Sequence, residues 1–288
     1  MKVRDCFNGR QPVFSFEFFL PKTPEGMVQF MSTVRDLKRL APSFVTLTYG
    51  AGGSSRDRTI ETAGMIQNEL GITTVAHLTC IAHTRSEIET IVEKIRRLGI
   101  ENIMALRGDP PKEGRLLPED RRDYRYAVDL IRHIRKMDGF CIGVAGYPEK
   151  HPEAASIEED LRHLKEKVEV GADFITTQLF FDNADYFRFI ERVRALGITL
   201  PVLPGLMPVT NYGQLHKFAA MCGARVPSEI IRALEARQTD TEYVIRYGID
   251  WTYRQARDLL DKGAPGIHFY TLNKSRSTEV ILSRLLGR

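Results

Sequence analysis

Cysteine is scarce in this chain. Its four residues (Cys6, Cys80, Cys141, Cys222) stand far apart with no CxxC pair. In 288 residues that pattern excludes a disulfide frame and a zinc ribbon, and reads as reduced thiols of a cytoplasmic protein. Long apolar runs are missing too: none approaches the roughly 20 residues that cross a bilayer. The first ten residues, with Lys2, Arg4, Asp5 and Arg10, lack the apolar core of a signal peptide. Neither sign of charge dominates, since 41 Lys and Arg against 37 Asp and Glu leave a net charge of +4. That balance argues against nucleic acid or a membrane surface as the main partner. The basic residues are also interleaved with acids, as where Glu87, Glu89 and Glu93 precede Lys94, Arg96 and Arg97, the pattern of solvated helix faces. There is no GxSxG, HxxxH or HxH, and a dispersed His77, His151 and Glu17 make a poor metal set, so no metal is expected. No Pro/Gly/Ser linker or low-complexity tract divides the chain, and 1–288 is expected to be one domain.

What is present is a beat. Short apolar, β-branched or aromatic runs occupy Val13–Phe19, Phe44–Tyr49, Thr73–Cys80, Asn102–Gly108, Cys141–Tyr147, Phe174–Phe181, Pro201–Leu206 and Gly266–Asn273. They recur about every 30 residues, as parallel strands with crossover helices require. Between them Thr84-Arg85-Ser86-Glu87 and Ser156-Ile157-Glu158-Glu159 both read as capping boxes, a hydroxyl cap with Glu three residues on. Each opens an apolar stripe: Ile88, Ile91, Val92, Ile95 and Leu98, ending at Gly99; then Ile157, Leu161, Leu164 and Val168, ending at Gly171. The long interval before the last strand holds extra helices over Asn211–Met221, Pro227–Ala236 and Asp240–Lys262. The fold class is α/β. A doubly wound open sheet has the same strand count, but eight such units in this length fit a closed (β/α)8 TIM barrel with extra helices before the last strand.

Polar residues interrupt these strands near their C-terminal ends, where a barrel keeps its active site. They include Glu17 in strand one, Thr48-Tyr49 in strand two, His77 in strand three and Arg107-Gly108-Asp109 in strand four. Strand five ends Tyr147…His151, strand six carries Thr177-Gln178, and strand eight ends Tyr270…Asn273. Each has a bland reading: Glu17 paired with an Arg such as Arg107, His77 a hydrogen-bonded core residue, Gln178 a strand cap. Glu17 shares its strand face with Ser15 and Phe19, and such partly apolar surroundings predict a raised pKa and a proton donor near neutrality. Asp160, His163 and Lys167, at helical spacing opposite the second stripe, read either as a solvated face or as a grip on a long nucleotide cofactor. Gly50-Ala51-Gly52-Gly53 lacks the third glycine of a dinucleotide fingerprint and reads as a tight turn.

The longer strings resemble one family. Phe16-Glu17-Phe18-Phe19-Leu20-Pro21-Lys22-Thr23 is similar to the FEFFPPKT opening of methylenetetrahydrofolate reductases. So are Thr48-Tyr49-Gly50-Ala51, Ala76-His77-Leu78-Thr79-Cys80, Leu106-Arg107-Gly108-Asp109-Pro110-Pro111 and Tyr147-Pro148-Glu149-Lys150-His151-Pro152-Glu153. Thr177-Gln178-Leu179-Phe180-Phe181-Asp182, Pro204-Gly205-Leu206-Met207-Pro208 and His268-Phe269-Tyr270-Thr271-Leu272-Asn273 complete the set, in family order from residue 13 to about 287. The resemblance is to the bacterial form, a catalytic barrel without an appended regulatory domain. It implies FAD as cofactor, NADH or NADPH as reductant, methylenetetrahydrofolate as substrate in a ping-pong cycle, and a homo-oligomer.

By matched motif, the resemblance makes Glu17 the general acid that opens the imidazolidine ring to the 5-iminium cation. Asp109 lies by flavin and pterin, and Gln178 contacts the pterin. Phe218, Gln214 and Lys274 fall on the substrate side. The FAD positions are Thr48, Tyr49, Ala51, His77, Arg107, Gly108, Asp109, Ala127, Tyr147, His151, Ala154, Asp160, His163 and Lys167. Leu20 departs from the family's proline and loses its fixed φ. His163 and Glu166 stand where some bacterial members have Asn and Arg, with Glu166 removing a positive charge near the diphosphate. Lys274 stands where Arg is frequent; it keeps charge for a folate glutamate tail without the bidentate fork. Two rivals accompany this reading. One is an FAD barrel of the proline-dehydrogenase kind, which the Phe16–Thr23 and Arg107–Pro111 strings oppose. The other is a flavin- or folate-binding barrel that takes electrons from a partner protein.

Overall fold

Among the described residues, nine short parallel strands form one sheet whose two ends are adjacent in the chain. They are β1 (Val13–Phe19), β2 (Phe44–Thr48), β3 (Thr74–Thr79), β4 (Asn102–Leu106), β5 (Cys141–Gly146), β6 (Phe174–Thr177), β7 (Val202–Leu203), β8 (Gly205–Leu206) and β9 (Gly266–Tyr270). The computed structural model describes residues 1–48, 53–109 and 122–288, and only the backbone at 53–56. The strand order is β7-β6-β5-β4-β3-β2-β1-β9-β8. Because β7 pairs with β6 and β8 pairs with β9, the two halves of the predicted Pro201–Leu206 strand close the circle. Pro204 splits that strand, since it has no N–H for a ladder bond. Its carbonyl still accepts from the His268 N–H at 2.9 Å, and the next donor, Gly205 N–H, is taken by the Thr177 hydroxyl at 2.9 Å. This is the expected (β/α)8 barrel.

Helices α1 (Pro24–Lys38), α2 (Gly53–Leu70), α3 (Arg85–Arg97), α4 (Ala127–Met137), α5 (Ile157–Glu169), α6 (Asn183–Ala195) and α10 (Arg276–Leu285) belong to the βα units. Helices α7 (Tyr212–Cys222), α8 (Ser228–Glu235) and α9 (Thr241–Asp261) fill the long interval before β9, as expected. Local chemistry accounts for their starts. Thr84 and Glu87 form a reciprocal capping box on α3, whose Ile88, Val92 and Ile95 are fully buried against the strands. The second expected box is only half formed. The Ser156 hydroxyl accepts from Glu159 N–H at 3.1 Å, but the Glu159 carboxylate accepts from Ala155 N–H at 2.7 Å, one residue short of the cap.

The N-terminal end of the barrel is closed. A 3-10 helix, Val3–Asn8, lays Val3 and Phe7 over Phe44, Phe174, Val75 and Leu203. Asp173 accepts from Arg4 at 2.9 Å, Arg135 at 2.5 Å and Ile142 N–H at 2.7 Å, tying that helix and α4 to the start of β6. With its floor covered by the 3-10 helix, the barrel interior opens at its C-terminal mouth.

Candidate functional site

Strand alternation turns every second side chain into the barrel. At the C-terminal ends those side chains surround a cavity of about 550 Å3. Glu17 and Phe19 reach it from β1, Thr48 from β2, His77 and Thr79 from β3, and Thr176 and Gln178 from β6. Arg107, Gly108 and Asp109 follow β4, Tyr147 and His151 follow β5, and Phe218, Met221 and Cys222 come from α7. Thr176, not the expected Thr177, shares the inner face with Gln178. Thr177 instead accepts from Tyr270 Oη through its carbonyl at 2.8 Å and serves Gly205 through its hydroxyl.

Glu17 is the most connected of these groups. Its Oε2 accepts from Thr46 Oγ1 at 3.2 Å and from His268 Nε2 at 3.3 Å, and lies 3.5 Å from His77 Nε2. A carboxylate only accepts, so the His268 proton sits on Nε2 and its Nδ1 accepts from the Ser15 hydroxyl at 2.8 Å. Burial pushes the Glu17 carboxyl up, but the His268 bond, the neighbouring His77 and the Thr46 hydroxyl outweigh it, and the pKa falls below the ordinary value. The raised pKa expected from the sequence is therefore corrected. The ion pair with Arg107 does not form either: the Arg107 fork holds Glu153 at 2.5 and 2.8 Å. His77 is buried with neither ring nitrogen hydrogen-bonded, and burial lowers its pKa against the pull of Glu17. The bland reading of His77 required a hydrogen bond it lacks, although its Nε2 lies in ion-pair range of Glu17.

Gly108 brings the chain close at the end of β4. Its φ is +84°, and a Cβ there would lie 2.7 Å from Thr79 Cβ. Across the mouth, the rings of Tyr147 and His151 meet edge-on at 4.7 Å. Beneath that loop, Asp160 Oδ2 accepts from His151 N–H at 3.1 Å, and Lys167 Nζ donates to Ala145 O at 2.7 Å. Burial pulls the Lys167 ammonium down to about 8, with Asp160 opposing the shift. Asp160 and Lys167 thus brace the end of β5 and are not a solvated face.

The other chosen positions lie around the mouth and not in its wall. His163 Nδ1 is 3.3 Å from Glu166 Oε2, and its ring stacks on Tyr126 at 5.7 Å, next to Ala127 at the start of α4. The Ala154 carbonyl accepts from Lys150 Nζ. Gln214 is exposed on α7, and Lys274 Nζ donates to Thr210 Oγ1 at 3.3 Å. Tyr49 and Ala51 lie outside the described residues. Sequence reasoning missed Thr176 and His268 as individual groups, although each sits two residues before a chosen or quoted position on the same strand face.

A (β/α)8 barrel with acid, amide, imidazole and guanidinium groups converging on one cavity at its C-terminal mouth defines the class: a barrel with a ligand-sized pocket at its strand ends. The sequence model of the methylenetetrahydrofolate reductase family matches residues 2–286, and the chain belongs to that family. It is 40% identical over 272 residues to 5,10-methylenetetrahydrofolate reductase of Salmonella typhimurium, covering 94% of this chain and 90% of that protein. It is 38% identical over 295 residues to methylenetetrahydrofolate reductase (NADH) 1 of Arabidopsis thaliana, covering 99% of this chain. The chain spans about half the length of such plant relatives (50%), which carry a further region it does not match. Among solved structures, a Clostridium thermocellum protein described as binding two copies of 5-methyl-5,6,7,8-tetrahydrofolic acid superposes with TM-score 0.63. It is 13% identical and covers 97% of this chain and 95% of that one, a likeness of fold. Among the described residues no helix is long and apolar enough to cross a membrane.

Proposed function

We propose that this chain reduces 5,10-methylenetetrahydrofolate to 5-methyltetrahydrofolate, with FAD as bound flavin and NADH or NADPH as reductant in a ping-pong cycle. One observation carries the reading: Glu17, Asp109, Gln178 and Phe218 line the same cavity as Thr48, His77, Arg107, Gly108, Tyr147 and His151. The residues present fit a flavin. His77 and Thr176, both in the cavity lining, have buried polar atoms without a hydrogen-bond partner, and the wall is otherwise mostly apolar. Thr48, His77, Arg107, Gly108, Tyr147 and His151 would hold the group from inside, with Asp160 and Lys167 fixing the loop that carries His151. When bound, FAD supplies the hydride chemistry.

The chain's own residues do the rest. Glu17 is the proton source for the substrate's ring nitrogen. In the free site it is held as a carboxylate, and closing the cavity with ligands removes its remaining solvent and pushes the carboxyl up, the direction an acid requires. Asp109 places a fixed negative charge at the mouth, favouring a substrate that becomes cationic. The Gln178 amide oxygen is occupied by Leu179 N–H at 2.9 Å, leaving its NH2 group to donate to the ligand. Phe218 packs on whichever ligand faces the flavin, and Lys274 receives the glutamate tail.

The test is a visible spectrum of the purified protein, followed by anaerobic NADH or NADPH and then methylenetetrahydrofolate. A flavin that bleaches with the nicotinamide and recovers with the folate supports both half-reactions. A flavin indifferent to both nicotinamides points to electrons from a partner protein. A protein that takes up no FAD overturns the reading.

A further inference from the structure

The wall of the cavity that is not barrel is α7, which carries Phe218, Met221 and Cys222. No strand ladder holds this helix, and its inner side, Leu215 and Ala219, packs on Leu179, Met207 and Val209 through apolar contact alone. Its C-terminal end is held differently. Gly223 ends the helix at φ +68°, with Pro152 beside it, and two residues later Arg225 turns back toward the barrel. Arg225 Nη2 reaches Asp182 Oδ2 at 3.1 Å and Asp185 Oδ2 at 3.2 Å, both at the start of α6. Its main-chain N–H donates to Glu149 Oε1 at 2.9 Å, in the loop that carries Tyr147 and His151. Among the described residues, every hydrogen bond from 211–227 to the barrel body passes through Arg225. Arg225 therefore fastens the C-terminal end of the roof to the ends of two strands, while the bond from Lys274 to Thr210 lies just before its start.

We propose that Arg225 is a positioning residue: its latch on Asp182, Asp185 and Glu149 fixes α7, and through it Phe218, over the ligand site. The proposal rests on the functional reading above, in that Phe218 meets both the nicotinamide and the folate. A looser roof weakens both ligands, leaves the flavin bound from the barrel side, and spares the chemical step at saturation.

Three variants test it. Arg225→Ala removes the guanidinium. Asp182→Asn removes one of its charges while Asn still caps α6, so it serves if the first variant folds poorly. Amide hydrogen exchange should quicken about tenfold across Tyr212–Cys222 and stay unchanged in β1 to β6. KM for nicotinamide and for folate should rise together by about fivefold with kcat and flavin content retained, and Arg225→Lys should recover part of the loss. Unchanged exchange in α7 overturns the latch. Faster exchange with unaltered KM values overturns the positioning role. If the unsubstituted protein reduces no folate, the functional reading fails, and the exchange measurement still decides the latch.

Discussion

The two ends of the barrel differ in how their buried polar groups are partnered. At the N-terminal floor Asp173 takes three donors, and Asn102 joins Val3 N–H at 2.7 Å to the Met1 carbonyl at 3.0 Å. At the C-terminal mouth His77 and Thr176 are buried with polar atoms that have no hydrogen-bond partner. A buried polar atom left unpaired costs about 1–3 kcal/mol, so the mouth carries a penalty that the floor does not. The floor's polar groups tie the fold together, whereas the mouth keeps hydrogen-bonding capacity that no protein group uses.

Substitutions at the two ends should separate these roles. The largest effect is expected at the mouth: Glu17→Gln should slow flavin reoxidation by methylenetetrahydrofolate by about 10²–10⁴-fold while leaving flavin reduction by NADH near normal. Stopped-flow absorbance of each half-reaction distinguishes this from a general collapse of the site, in which both slow equally. At the floor, Asp173→Asn should remove about 3 kcal/mol of stability with kcat unchanged, read by chemical denaturation.

That loss should depend on pH in a defined sense. Burial raises the Asp173 carboxyl, but Ile142 N–H, Arg135 and Arg4 outweigh it, so its folded pKa is below the ordinary value. Its contribution is then present above about pH 4, the unfolded value, and disappears as pH falls through the lower folded one. Stability curves of the two proteins should converge in acid; a constant gap down to pH 2 would remove the ion pairs as the cause.

Gly143→Ala, also at the floor, drives a Cβ into the Phe174 ring and should cost about 2 kcal/mol. Phe174→Leu in the same chain should restore part of it, and failure to do so would place the strain elsewhere. The smallest effect is expected from Thr176→Val. Removing an unpaired hydroxyl should leave the free protein equal or up to about 1 kcal/mol more stable, while flavin binding weakens. A destabilised Thr176→Val protein would show that the hydroxyl already has a structural task and contradict the contrast between the two ends.

Much of this was legible in the residues. Strand positions followed from apolar runs, helix starts from Thr84 and Ser156, and the grouping of Glu17, His77, Arg107 and Gln178 from their places at strand ends. These are local properties, set by side-chain alternation and by hydrogen bonds within a few residues, which the chain carries wherever it goes. What the sequence did not carry was which groups meet. Glu17 and His268 are 251 residues apart, and their bond, with His77 and Thr46 nearby, reverses the pKa direction that the aromatic neighbours of Glu17 suggest. Glu153, and not Glu17, takes Arg107, and the Asp160 face turns inward to the β5 end. Closure of the sheet at Pro204 and the fastening of α7 by Arg225 belong to the same class. Electrostatic energies depend on distance and surrounding dielectric, and both are settled only when the barrel closes and brings remote strand ends into one pocket.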